Sequence, residues 1–193
     1  MLSVAVEGSS DQSVVAQVMS ACGLRVDRWL PLGGKTKLDQ RLPTYVRAAR
    51  EVPDSRWVVF RDTDSRCPVT LKNHLLRDVA PLDTFILRLV HTEIEAWLLA
   101  DRPAIAAWLG LSVAKVPTEP ESIRDAKRAL LVLASTTRKR TLRDGLVRAD
   151  GQAGPRYAAL LADFAATLWN PDTARQSSPS LDRAMRSLDR WRS

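Results

Sequence analysis

The first hundred residues alternate between short apolar runs and longer segments with apolar residues at helical spacing, and this order leaves few folds open. Ser3–Val6, Arg25–Leu32, Arg56–Phe60 and Thr84–Val90 read as strands. Between and after them, Asp11–Gly23, Lys37–Val52, Thr70–Val79 and Glu93–Ala100 read as helices. Asp11–Gly23 carries Val14, Val15, Val18 and Met19 on one face, and Lys37–Val52 carries Leu38, Leu42, Tyr45, Val46 and Ala49. Pro43 obscures where the second of these helices starts. A β-α repeat of this kind predicts an α/β fold with a mostly parallel sheet flanked by helices. Parallel strands joined by helices deliver their carboxyl ends to one edge, where sites form.

The second half changes character. Pro103–Leu109, Ser122–Ala134, Gly154–Trp169 and Ser180–Trp191 read as helices, and no further strand is evident. Residues 116–121, with two prolines, read as an extended link, and residues 170–179 as a polar loop. The charged stretch 138–150 shows no clear periodicity. The expected organisation is an α/β core over residues 1–101 and a basic helical C-terminal extension over residues 102–193, packed on the core as one globular unit.

Charge follows the same division. Residues 1–101 hold 13 basic and 13 acidic side chains; residues 102–193 hold 16 and 9, the whole net charge of +7. Such a region suits a polyanionic partner, DNA or RNA, though a solvated arginine-rich surface explains it equally. Cys22 and Cys67 form no metal knuckle or disulfide framework and read as reduced thiols. No basic leader precedes Glu7, and the longest apolar runs, such as Ala129–Ala134, are far too short to span a membrane. The expectation is a cytoplasmic protein with no membrane partner.

Six carboxylates carry the candidate chemistry. Glu7 follows the first strand directly, with Gly8 next to permit a tight turn and Asp11 close behind. Asp62 and Asp64 follow the third strand, and Glu93 and Glu95 follow the fourth. In a parallel sheet all three groups reach one edge. Gathered carboxylates repel unless protons or a cation neutralise them, and carboxylate oxygens suit hard ions such as Mg2+ or Mn2+. Positions i and i+2 past a strand end face one side, so Asp62 and Asp64 are expected to hold one ion or to bridge two. Each group also has an ordinary reading: Asp11 as a helix cap, Asp62-Thr63-Asp64 as a turn, Glu93 on a solvated face. Arg61 and Arg66 flank the aspartates, to contact phosphate or to balance charge. Lys35 and Lys37, in the loop after the second strand, are within reach of the edge.

The combination of Val6-Glu7-Gly8 and Phe60-Arg61-Asp62-Thr63-Asp64 resembles the Toprim fold. His91-Thr92-Glu93-Ile94-Glu95-Ala96-Trp97-Leu98-Leu99-Ala100-Asp101 narrows the likeness to a bacterial domain-of-unknown-function family, numbered 4276, related to the Toprim half of OLD-type nucleases. Tyr157, Phe164, Trp169 and Ser178-Pro179-Ser180-Leu181 agree with that likeness, which covers nearly the whole chain. The resemblance implies magnesium-dependent phosphodiester chemistry and a partner ATPase, as in phage-defence systems. It implies Glu7 as proton shuttle or ligand and Asp62 and Asp64 as ligands. From the third block it implies Glu95 ahead of Glu93.

Other motifs are set aside. Gly33-Gly34-Lys35-Thr36 lacks the earlier glycine of a P-loop, whose place Trp29 takes. His74 and His91 are too few to bind zinc, and no nucleophile elbow is present. Tyr157 reads as packing against Phe164 and Trp169, and the tryptophans read as core anchors. Three functions stay open: a metal-dependent nuclease, a non-catalytic metal- and phosphate-binding subunit of an ATPase, and a toxin-like effector acting on RNA.

Overall fold

A computed structural model describes residues 1–192. Its elements run β1 (Leu2–Val6), α1 (Ser9–Ala21), β2 (Arg28–Pro31), α2 (Lys35–Glu51), β3 (Arg56–Asp62), α3 (Pro68–Leu75), β4 (Phe85–Val90) and α4 (Ile94–Ala100). Six helices follow: α5 (Arg102–Leu109), α6 (Ala126–Ser135), α7 (Arg140–Leu146), α8 (Tyr157–Thr167), α9 (Pro171–Ala174) and α10 (Pro179–Asp189). The four strands form one all-parallel sheet in the order β2-β1-β3-β4, so the fold is α/β, with helices making up the C-terminal half.

The chain leaves β1 in one direction to build β2 and returns to its other side to build β3. Strand order therefore reverses between β1 and β3, and a crevice opens outside their carboxyl ends.

Strand alternation divides the core in two. Val4, Val6, Val58, Phe60, Ile86 and Val90 face α1, α4 and the C-terminal helices. Ala5, Trp57, Val59, Phe85 and Leu87 face α2, where Tyr45 stacks on Trp57 with ring centroids 4.6 Å apart. The first cluster is continuous across the halves of the chain: Tyr157, Leu161, Phe164, Leu181 and Leu188 are buried with the valines of β1. Burial of side chains this size stabilises by roughly 1.5–3 kcal/mol each.

Several boundaries differ from the sequence reading, each for a physical reason. α2 runs through Pro43, which should cost about 3 kcal/mol in a helix interior. The five apolar side chains it buries, Leu38 to Ala49, offset that. α3 begins and ends early, with Pro68 in its first turn. The 138–150 stretch contains α7, whose pattern is hidden because Gly145 takes a buried place in it. Gly154 packs so tightly on that turn that a Cβ there would collide with the Gly145 carbonyl. The link at 116–121 contains a 3-10 turn (Pro120–Ser122), and the loop at 170–179 contains α9. No helix among the described residues is long and apolar enough to cross a membrane.

Candidate acidic site at the sheet edge

Glu7 stands directly after β1, where its backbone is held between the sheet and the start of α1. Its carboxylate accepts a 2.9 Å hydrogen bond from the Asp62 amide at the end of β3, so a single contact spans the crevice. Arg61 Nη1 lies 3.6 Å from the same oxygen. Burial nevertheless dominates and raises the Glu7 pKa to about 7, the Asp62 amide and Arg61 opposing it in part.

Asp11 sits in the first turn of α1 and accepts the Gly8 amide at 2.8 Å and the Ser10 hydroxyl at 3.1 Å. Its capping role is therefore real, yet burial still raises its pKa. Gly8 does not need its conformational freedom: its φ is −135°, and an added Cβ would meet only ordinary contacts at 3.5–3.6 Å. The tight turn expected at Glu7-Gly8 is instead extended backbone leading into a helix cap.

β3 continues two residues past Phe60, and alternation separates the two charges it gains. Arg61 falls on the α2 side. It is 2% exposed and grips Asp39 of α2 with Nε and Nη2, both at 3.2 Å. Its Nη1 bonds Asp64 at 2.8 Å. Of the two roles open to Arg61, the structure shows charge balance. Asp62 falls on the opposite side, toward α1 and α4. No donor is bonded to its carboxylate among the described residues, and its pKa is well above the usual carboxylate range. Burial is the main cause, followed by the charges of Asp11, Glu7, Glu95 and Asp64.

The strand stops at Asp62, and Asp64 and Ser65 adopt left-handed φ values of 47° and 63°. That turn breaks the expected i, i+2 relationship. Asp64 swings to the Arg61 side and also accepts Lys35 Nζ at 3.0 Å. Its two cations hold its pKa below the usual value, although burial works against them. The turn is tied down on several sides. The Asp64 amide donates to Thr92 O at 3.1 Å, Thr63 Oγ1 lies 2.9 Å from His91 Nδ1, and Ser65 Oγ donates to Arg124 O at 2.7 Å. His91 thus braces the aspartate turn.

The third acidic block divides as well. Glu93 accepts the Lys127 amide at 2.9 Å and so caps α6. Glu95, in the first turn of α4, is 7% exposed and accepts the Tyr157 hydroxyl at 2.9 Å. Burial raises its pKa while Tyr157 and Lys127 oppose that. Lys127 Nζ stands 5.2 Å from the Tyr157 ring centroid and is the cation whose charge is felt by both Asp11 and Glu95.

Four of the six sequence-derived residues, Glu7, Asp11, Asp62 and Glu95, thus share one electrostatic environment around Asp62. Asp64 lies beside them, neutralised by Arg61 and Lys35, and Glu93 is engaged by α6. Three participants escaped the sequence reading: Tyr157, Lys127 and Asp39. Tyr157 was read as a packing residue; it is buried as expected, but its hydroxyl is spent on Glu95.

Partly buried carboxylates gathered around one that accepts no hydrogen bond are the donor chemistry of a hard divalent cation. Glu7, Asp11, Asp62 and Glu95 match such an ion by residue type alone. As placed, no three His, Cys, Asp or Glu side chains among the described residues stand close enough together to hold one. Comparison of the chain with protein-family models, with curated proteins and with solved structures returned no match.

Proposed function

We propose that this protein is a metal-dependent phosphodiester hydrolase, a nuclease of Toprim type, using Mg2+ or Mn2+ at the acidic edge. One observation carries the reading: Asp62 ends β3 at the switch in strand order without a bonded donor, and Glu7, Asp11 and Glu95 add their charge to its own. Glu7, Asp11 and Glu95 each accept a hydrogen bond, but a purely structural role for Asp62 would leave its charge without compensation.

In this reading Asp62, Asp11 and Glu95 hold the ion, and Glu7 stays beside them as the proton carrier. When bound, the ion supplies Lewis-acid polarisation of a phosphate oxygen and neutralises developing negative charge. Glu7, with a pKa near 7, is suited to exchange a proton with water or the leaving oxygen at neutral pH. Arg61 positions Glu7 and Asp64. Lys127, exposed beside Tyr157, offers a cation to the incoming phosphate, and the net positive charge of residues 102–193 favours a nucleic-acid partner.

A second reading, a non-catalytic metal- and phosphate-binding subunit of an ATPase, draws on a different observation. Asp64 is already neutralised by Lys35 and Arg61, which removes one carboxylate from the full Toprim set. The experiment is to incubate the protein with plasmid DNA and with RNA, with and without Mg2+ or Mn2+. The nuclease reading expects metal-dependent cleavage that Asp62→Ala abolishes. Metal binding by calorimetry without cleavage of either polymer favours the second reading. Absence of metal binding overturns both.

A further inference from the structure

A second site stands apart from the acidic edge. β4 is an outer strand of the sheet, and a cavity of about 840 Å³ opens along its amino-terminal half, between α3, the 76–83 loop and the end of α10. That volume is in the range of small-ligand sites. It is lined by apolar Leu76, Val79, Leu82 and Phe85, which belong to the α2-side core, and around the outer edge of β4 by basic Lys72, Arg77, Arg88 and Arg190. Asp83 is the single carboxylate in the lining.

The cations are unpaired. None of Lys72, Arg77, Arg88 or Arg190 forms an ion pair among the described residues. Arg88 is half-buried and spends its guanidinium on neutral acceptors: Leu87 O and Arg183 O, both at 3.0 Å, and the Ser187 hydroxyl. Arg190 Nε reaches only Ser187 O, at 3.3 Å. The cations stand near enough to repel one another. Burial lowers the pKa of Arg88, with Arg190 and Arg183 adding to it, and burial lowers that of Lys72, with Arg88 and Arg190 adding to it. A smaller hollow shares Lys72, Leu87 and Arg88 with the cavity and adds Arg183, extending the basic lining toward the carboxyl end of β4.

Converging unpaired cations beside an apolar lining are complementary to an anion attached to a flat apolar group. We infer that the β4 cavity binds a phosphate ester of a nucleoside, its phosphate on Arg88, Arg190 and Lys72 and its base against Val79, Leu82 and Phe85. The source is either a free nucleotide or one residue of a nucleic-acid strand. The inference does not depend on the acidic edge holding a metal.

The test is done in EDTA, so that the acidic edge takes no part. Binding of ATP, of pyrophosphate and of a ten-nucleotide deoxythymidine strand is measured by calorimetry at 50 mM salt on wild type, Arg190→Glu and Lys72→Glu. Both substituted side chains are exposed, and thermal melting checks that the variants remain folded. The expected result is binding of ATP tighter than pyrophosphate, weakened at least tenfold in each folded variant. Strand binding with the same loss, and no ATP binding, assigns the site to a strand and also sustains the inference. No binding of any probe by wild type overturns it. So does binding that both folded charge reversals leave unchanged.

Discussion

The Asp62 amide donates to the Glu7 carboxylate at 2.9 Å, joining the ends of β1 and β3 where strand order reverses. This contact fixes Glu7 by main chain, independent of what the Asp62 side chain does. The two residues can therefore be separated by mutation. Asp62→Asn keeps the amide and removes a partly buried charge that repels its neighbours. The expected outcome is a metal-free protein more stable by on the order of 1 kcal/mol, because an unsatisfied charge is lost. Magnesium affinity should fall at least tenfold. Thermal melting in EDTA and calorimetry with Mg2+ check the two arms. Asp62→Asn that destabilises the metal-free protein would show that the carboxylate has a structural partner.

The raised pKa of Glu7 makes a prediction about pH. A carboxyl titrating at about 7 when folded and near 4.5 when unfolded binds more protons in the folded state across that interval. Stability is then highest below pH 4.5 as far as this group is concerned, and falls as pH rises through 7. The side chain is 16% exposed and coupled to its neighbours, so the loss is on the order of 2 kcal/mol. Metal-free protein should melt higher at pH 5 than at pH 8. Addition of Mg2+ should recover the difference at pH 8, since a ligand of the folded state stabilises it. Glu7→Gln should flatten the pH dependence in EDTA.

Arg61 is the brace on the other face. It is 2% exposed and neutralises Asp39 and Asp64 while standing 3.6 Å from Glu7. Arg61→Met leaves Asp39 without its cation and Asp64 with Lys35 alone; both carboxylates are partly exposed, so the cost in urea unfolding should be about 1–3 kcal/mol. Arg61→Lys should recover only part of this, because an ammonium cannot reproduce the two-pronged grip on Asp39. Equal stability of Arg61→Lys and wild type would show that charge alone suffices.

The framework of this architecture was readable because apolar alternation marks strands and helical spacing marks α1 and α2. What escaped the reading has a common cause. β3 seemed to end at Phe60 because its last two residues, Arg61 and Asp62, are charged, and a strand end that carries a site is invisible to hydropathy. Asp64 was expected beside Asp62 because no residue type in Asp62-Thr63-Asp64-Ser65 announces left-handed backbone, which Asp64 and Ser65 adopt all the same. Tyr157 and Asp39 meet their partners across 62 and 22 residues, and such pairings leave no local pattern. Gly145 and a run of charges concealed α7 for the opposite reason: there the local pattern misled, since packing against α8 overrides it.

Tyr157 offers the last test, because it links the C-terminal helices to the acidic edge. Its hydroxyl donates to Glu95 at 2.9 Å inside the core, and this bond favours the charged form of Glu95 against burial. Tyr157→Phe keeps the ring on Lys127 and deletes only the donor. Glu95 then loses its one side-chain donor, and its pKa rises further. The cost in stability should be about 1–2 kcal/mol. If Glu95 serves the ion in its charged form, magnesium affinity of Tyr157→Phe should drop more at the acidic than at the alkaline of two pH values, since deprotonation restores the carboxylate. Titration of the variant with Mg2+ at both pH values reads this directly. A loss of affinity independent of pH would mean that Tyr157 acts by packing, and that Glu95 stands outside the ion's coordination.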